Sequence, residues 1–368
     1  METAPSLTTV LQHQVRAAIR AHGGWLGFER YMELALYTPG LGYYAGERQK
    51  FGLFPSARGS DFVTAPEMSA YFGRTLARQV GQALLASGTG TVWEFGAGSG
   101  ALAQQLLESL GDAIEQYVIV DLSGSLRQRQ QERLAPFAAK LRWASTLPQQ
   151  IEGVVLGNEL LDAMPVTLLA RLQSRWHERG VALNGQGGMV WLDRPTALRP
   201  PFDVGGVHDY LTEIHPQAEA FVRTVLRALR RGALLLIDYG FPEREYYHAQ
   251  RSMGTLVCHR AHRVDNDPLA DLGAKDITAH VNFTGLALAA QDAVPEGLTL
   301  LGYTSQARFL MNCGLLELLE HASLQERGMA QKLLMEHEMG ELFKVIAWCR
   351  GEPWEALGFA QGDRSATL

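Results

Sequence analysis

The chain has 368 residues, enough to bury a substantial core and more than a minimal α/β domain needs, so appendages are expected. Apolar residues make up 46% and charged residues 20%, which excludes a disordered chain, and a formal net charge of -6 leaves no electrostatic footprint for nucleic acid. Cys258, Cys313 and Cys349 are too few and too scattered for a disulfide framework or a structural zinc site, which fits a reducing, cytoplasmic setting.

The first 24 residues lack a cationic segment followed by an apolar run, so no secretory signal is expected. Leu11, Val15, Ala18 and Ile19 instead recur at helical spacing, and Gly23-Gly24 ends that helix. No stretch of 18 apolar residues occurs, so no membrane span is expected. Residues 1 to about 85 read as a helical and loop-rich region, a lid over substrate or cofactor. Within it Thr64 predicts an N-cap, with Pro66 in the first turn and Glu67 closing a capping box.

From Thr91 apolar strands alternate with helical stretches: TVWEF, ALAQQLLESL, YVIVD, SLRQRQQERL, then LRW near 141 and VVLGN from 154. A helix from about His215 to Arg231 leads into a fifth strand, GALLLIDYG. Such alternation predicts an α/β fold, a Rossmann-like doubly wound parallel sheet with helices on both faces, spanning residues 86–310. The segment at about 166–205 reads as an inserted hairpin turning near Asn184-Gly185 and Gly187-Gly188. Residues 311–368 read as a C-terminal helical extension whose apolar stripe is core or an oligomer surface, a homodimer included.

The strongest chemical signal is Glu94-Phe95-Gly96-Ala97-Gly98-Ser99-Gly100, between the first strand and its helix. Ligands of doubly wound sheets bind at that edge, and glycines let backbone approach them closely. The spacing Glu-x-Gly-x-Gly-x-Gly differs from the dinucleotide fingerprint and looks like the S-adenosylmethionine (SAM) site of class I methyltransferases. Asp121 ends the second strand, where a carboxylate accepts ribose hydroxyls; capping the following helix is the structural alternative. Leu122 follows it at the same edge.

After the fourth strand comes Asn158-Glu159-Leu160-Leu161-Asp162, in which Glu159 and Asp162 would share one face of a helical turn. Paired carboxylates suit a guanidinium, which they can hold in a fork. The alternative is a solvated loop. Asp238, closing the fifth strand, is equally compatible with substrate contact and with capping the next turn.

Taken in order, SDFVTAPEMS, WEFGAGSGALA, GNELLDAMPV, LLLIDYG, GTLVCHRAHR, DITAHVNF and LGYTSQARFL resemble the MidA-type methyltransferases over roughly residues 30 to 313. Mitochondrial members of that family are protein arginine methyltransferases acting in assembly of respiratory complex I. The resemblance implies SAM as cofactor, a protein arginine as acceptor and a respiratory complex subunit as one partner. It places Glu94, Gly96, Ala97, Gly98, Gly100, Asp121, Leu122 and Asn158 around the cofactor, with Glu159 and Asp162 as catalytic candidates. Asp61, Thr64, Glu67, Asp238, His262, Asp276 and His280 fall in matching segments and are weaker substrate-side candidates. No metal site is expected. Asp121 is a departure, since relatives often carry the longer glutamate there.

Three other readings compete with this one. A nucleobase methyltransferase would show an Asn/Asp-Pro-Pro-Tyr or Pro-Cys motif, and a nicotinamide dehydrogenase would keep Gly-x-Gly-x-x-Gly; neither pattern is present. A non-catalytic assembly factor that retains a SAM pocket is the remaining alternative.

Overall fold

The computed structural model describes residues 7–46, 64–121, 124–260 and 263–368. In chain order it begins with α1 (Leu7–Ala21), β1 (Trp25–Gly27) and α2 (Phe28–Tyr37), then α3 (Ala65–Met68) and α4 (Ala70–Ser87). The alternating part follows: β2 (Thr91–Phe95), α5 (Ala101–Leu110), β3 (Gln116–Val120), α6 (Gly124–Arg133), β4 (Leu141–Ala144) and β5 (Ile151–Asn158). An insertion supplies β6 (Thr167–Leu172), β7 (Arg175–Leu183), β8 (Met189–Pro195) and β9 (Tyr210–Ile214). The chain returns through α7 (Pro216–Ala228) to β10 (Leu229–Phe241), and α8 (Glu243–Tyr246), β14 (Val281–Asn282) and α9 (Phe283–Ala293) lie beyond it.

The central sheet runs β15-β16-β10-β5-β2-β3-β4, where β15 is Leu298–Ser305 and β16 is Phe343–Arg350. Strands β2 to β5 and β10 are parallel, as the helical crossovers require. Ala233 to Ile237 of β10 are buried without interruption, as expected of a strand covered on both faces. One face packs Phe72, Leu76, Leu102 and Leu106, and the other packs Val222, Leu226 and Leu286. The doubly wound core is therefore as predicted, although the sheet is mixed. β16 runs antiparallel to both β10 and β15.

Three differences from the sequence reading have physical causes. Helix α7 stops at Ala228 rather than Arg231, because Leu229 is already extended and pairs with Ile151 of β5. The segment from 311 holds α10 (Gln306–Asn312, entered just before it), α11 (Leu315–Leu318) and α12 (Leu324–Leu334), but then enters the central sheet as β16. Finally, the expected single hairpin is a five-stranded sheet, β1-β7-β6-β9 with β8 on the other side of β7. The turn at Asn184 is present, its carboxamide accepting Gln186 and Gly188 N–H groups. A second turn, at Gln173-Ser174, has positive φ without glycine.

That sheet does not stand alone. Leu11, Val15, Phe28 and Met32 of α1 and α2 pack with Leu168 and Val181 of the insertion and with Ile277, forming a third core above the central sheet's edge. Ile277 belongs to a small sheet of β11 (Val257–Arg260), β12 (Arg263–Asp265) and β13 (Asp276–Thr278). Residues far apart in sequence thus build one cap over the carboxyl ends of β2, β5 and β10. Among the described residues no helix is long and apolar enough to cross a membrane.

Candidate active site

The strand order reverses between β2 and β5, which opens a crevice at their carboxyl ends. A cavity of about 1270 Å³ lies there, more than a single drug-sized ligand needs, so it has room for a cofactor and part of an acceptor. One half is walled by the loop after β2, by Asp121, by Ser145 to Leu147 after β4, and by Phe221 of α7. The other half lies under the cap and is walled by Tyr37, Tyr44, Asp162, Tyr239, Asp276 and His280.

The loop takes its shape from backbone conformations that side chains disfavour. Gly96 and Gly98 have φ of 67° and 54°, and a Cβ on Gly96 would stand 2.9 Å from Leu160 Cδ1. Both glycines and Ala97 line the cavity, whereas Gly100 does not; it turns the chain into α5 as that helix's N-cap. Glu94 is buried beneath the loop. Burial pushes its carboxyl up to about 7, and a 2.7 Å bond from the Tyr117 hydroxyl opposes that shift.

Asp121 lines the cavity. Gln130 of α6, fully buried, donates to Asp121 Oδ2 at 3.1 Å and to the Gly98 carbonyl at 3.0 Å, while its oxygen accepts Trp143 Nε1. One amide therefore fixes both the loop and the candidate ribose acid. Nothing in the spacing around Gln130 singled it out.

Beyond β5 the chain makes an irregular turn, not the helical turn expected for Glu159 and Asp162. Glu159 has φ of 50°, a left-handed conformation rare outside glycine. Asp238, 1% exposed, holds this turn: its Oδ2 accepts the N–H groups of Leu160, Leu161 and Asp162, and its Oδ1 accepts that of Tyr239. Substrate contact by Asp238 is thereby corrected, because its carboxylate is spent on backbone and lies outside the cavity lining.

Glu159 and Asp162 nevertheless both face the cavity. Glu159 Oε1 accepts the Ala65 N–H at 3.2 Å and the Asn158 amide at 3.1 Å. Burial pushes its carboxyl up to about 8, the negative charge of Asp162 adds to this, and those two donors hold it back. Burial also raises Asp162, against a hydrogen bond from the Tyr239 hydroxyl. Asn158 Oδ1 and Asp162 Oδ1 are buried acceptors without a hydrogen-bond partner. Such orphans point to a missing donor.

The weaker candidates divide. Asp276 accepts the Tyr44 hydroxyl on both oxygens at 2.9 Å and lines the cavity. His280 lines it too; burial pushes its imidazole down to about 4, and Tyr239 stands edge-on at 5.1 Å. Thr64 reaches the cavity, but its side chain caps nothing. Glu67 closes no capping box and lies outside the cavity lining; its carboxylate turns to Arg133 and Ser99. Leu122, Asp61 and His262 lie outside the described residues. Tyr37, Tyr44 and Tyr239 line the cavity as well, and no motif spacing singles them out.

Comparisons with known proteins follow the same line. A family model described as "putative S-adenosyl-L-methionine-dependent methyltransferase" matches residues 75–304. A Burkholderia thailandensis protein solved with S-adenosyl-homocysteine bound is 50% identical, with a TM-score of 0.93 over 100% of both chains. Protein arginine methyltransferase NDUFAF7, mitochondrial, of Homo sapiens is 27% identical over 86% of this chain and 78% of its own length. The Caenorhabditis elegans homolog of that name is 25% identical over 94% of this chain and 87% of its own.

Proposed function

We propose that this chain, which belongs to the family of S-adenosyl-L-methionine-dependent methyltransferases, methylates the guanidinium of an arginine in a protein substrate. SAM is its cofactor. The residues fit it: the loop through Gly96 and Gly98 gives close backbone approach, Asp121 offers a carboxylate to the ribose hydroxyls, and Asn158 and Glu159 lie where cofactor and acceptor would meet. SAM supplies a methyl group on a sulfonium, an electrophile open to in-line attack.

One observation carries the acceptor class. Among the described residues that line the cavity, Glu33, Glu94, Asp121, Glu159, Asp162 and Asp276 are acidic and none is lysine or arginine. Such a wall favours cations and disfavours phosphate or carboxylate acceptors. A guanidinium brings five N–H donors and no acceptor, which matches the orphaned Asn158 Oδ1 and Asp162 Oδ1. Tyr37, Tyr44 and Tyr239 add ring faces and edges beside those acids.

Glu159 and Asp162 would orient the guanidinium so that one nitrogen points at the methyl. As the new N–C bond forms and the sulfonium S–C bond breaks, S-adenosyl-homocysteine would leave, and the proton shed by that nitrogen would pass to the ionised carboxylate of Glu159. A group poised near neutrality can accept the proton and release it later. Relatives named as protein arginine methyltransferases, at 25 to 27% identity, support the same acceptor.

The test is transfer of labelled methyl from SAM into a cell lysate, with mass spectrometry of the labelled band. Methylarginine in a protein is expected, and a respiratory complex subunit is the first acceptor to examine. Label on another side chain or on a small molecule would overturn the arginine reading. SAM binding without any transfer would point instead to a SAM-binding assembly factor.

A further inference from the structure

Two sets of hydrogen bonds meet on the four-residue helix α3. On one side Glu67 accepts Arg133 Nη1 at 2.7 Å and the hydroxyl of Ser99, which belongs to the glycine loop. Arg133 Nη1 also donates to Ser99 Oγ at 2.6 Å, closing a three-way cluster. The Glu67 side chain is 9% exposed, so its charge is held by Arg133 rather than by water. On the other side, two residues earlier, the Ala65 N–H donates to Glu159 Oε1.

A single turn of helix has no stability of its own, so α3 lies where its ties put it. Gln105 of α5 supplies a third tie, donating to the Pro66 carbonyl at 2.7 Å and accepting the Gly73 N–H of α4 at 3.0 Å. The Glu67 cluster sets how α3 stands against the loop. That placement in turn sets where the Ala65 N–H points.

We propose that Glu67 is a positioning residue: by anchoring α3 to Ser99 and Arg133, it couples the cofactor loop to Glu159 through the Ala65 N–H. The inference rests on the reading that SAM binds with Glu159 beside it. An ordered loop pulls α3 into register, and α3 then presents its donor to the carboxylate that must be ionised to accept a proton. Backbone N–H bonds favour the ionised form of a carboxylate. Among the described residues, Asp162 of the turn and Asp238 of β10 oppose ionisation of Glu159, while the Asn158 amide and the Ala65 N–H favour it. Of these only Ala65 sits on α3.

The two ends can be read separately by titration calorimetry with SAM on the intact protein. Affinity reads the loop. The pH at which SAM binding stops expelling a proton reads Glu159 in the empty cavity. Glu67→Gln should raise the SAM Kd about tenfold and move that pH upward by about half a unit or more. Arg133→Met, which removes the other half of the anchor, should do the same and covers the case in which Glu67→Gln does not fold. Ser99→Ala cuts the loop's own tie while Arg133 still holds Glu67, and should raise Kd and move the pH upward by less than either of the other two variants. General destabilisation has no reason to shift that pH. Proton expulsion unmoved in both Glu67→Gln and Arg133→Met would overturn the inference. Wild-type SAM binding with no proton expelled would instead overturn the placement of Glu159 beside the cofactor, and the coupling with it.

Discussion

SAM binding at pH 7 should expel close to one proton from the protein. Burial and Asp162 hold the Glu159 carboxyl up to about 8, so at pH 7 about 90% of empty molecules carry that proton. A unit positive charge about 5 Å away, at an effective dielectric of about 20, is worth about 3 kcal/mol to the carboxylate, or about 2.4 pK units. That brings the carboxyl down to about 5.5, where only about 3% stays protonated at pH 7. The difference is about 0.9 proton. The sign is fixed: release is large between about pH 5.5 and 8 and fades outside that window on both sides. Calorimetry in buffers of different ionisation enthalpy gives the number of protons directly. S-adenosyl-homocysteine has no sulfonium charge and should expel well under half as much. Glu159→Gln should remove the difference in proton release between the two ligands and weaken SAM binding about thirtyfold at pH 7, because the attraction that lowers the carboxyl's pK also holds the sulfonium. Equal release by the two ligands, or release that survives Glu159→Gln, would refute the reasoning.

Other outcomes follow from the same geometry. Glu159→Gln should abolish methyl transfer, read as label incorporated from SAM, and undiminished turnover would remove Glu159 from the reaction. Gly98→Val places a branched side chain at φ of 54° in the loop and should weaken SAM binding by about a hundredfold or more without unfolding the protein, as calorimetry and circular dichroism would show. Asp238→Ala leaves the N–H groups of Leu160, Leu161 and Asp162 without their acceptor. That should cost about 3 kcal/mol and lower Tm by about 4 °C; an unchanged melting curve would contradict the turn-holding role. His215 is buried neutral, pushed down to about 4 by desolvation against its bond to the His280 carbonyl. Its contribution to stability is therefore full above about pH 6.5 and lost as the pH falls through 4. His215→Gln should start less stable than wild type at pH 7 and recover about 3 kcal/mol of that gap by pH 4. A gap in Tm that does not narrow on acidification would be the contrary result.

The sequence was most informative where structure is local. Strands β2, β3 and β5 are short apolar runs between helices, and the glycine loop and Asp121 fall at their ends by the rules of the fold. Strand β16 was not legible, because FKVIAWCR is an apolar run that periodicity alone cannot separate from a buried helix. Its antiparallel place in the sheet also follows from no βα alternation. At β10 the sequence alone does not separate Asp238 from Tyr239. Adjacent side chains of a strand point to opposite faces, so only one of Asp238 and Tyr239 could face the cavity, and it is Tyr239. Tyr37 and Tyr44 reach the site only because α2, the insertion and β13 share one core. Contacts of that range leave no trace in spacing. Gln130 and Arg133 look like solvent-facing residues in the polar stretch RQRQQER, yet each ties the cofactor loop to a neighbouring acid.

The position of β16 has a consequence for biosynthesis. It is made about 100 residues after β10, yet it is the strand that separates β10 from β15. While the ribosome is still translating the intervening segment, β10 has β5 on one side and an open row of N–H and C=O groups on the other. The exposed rim is the apolar stretch Ala233 to Ile237, the kind of edge that recruits other chains. That edge stays open to other chains until the final strand slots in. A premature stop shortly before residue 343 would remove a plank from the middle of the sheet rather than trim its border.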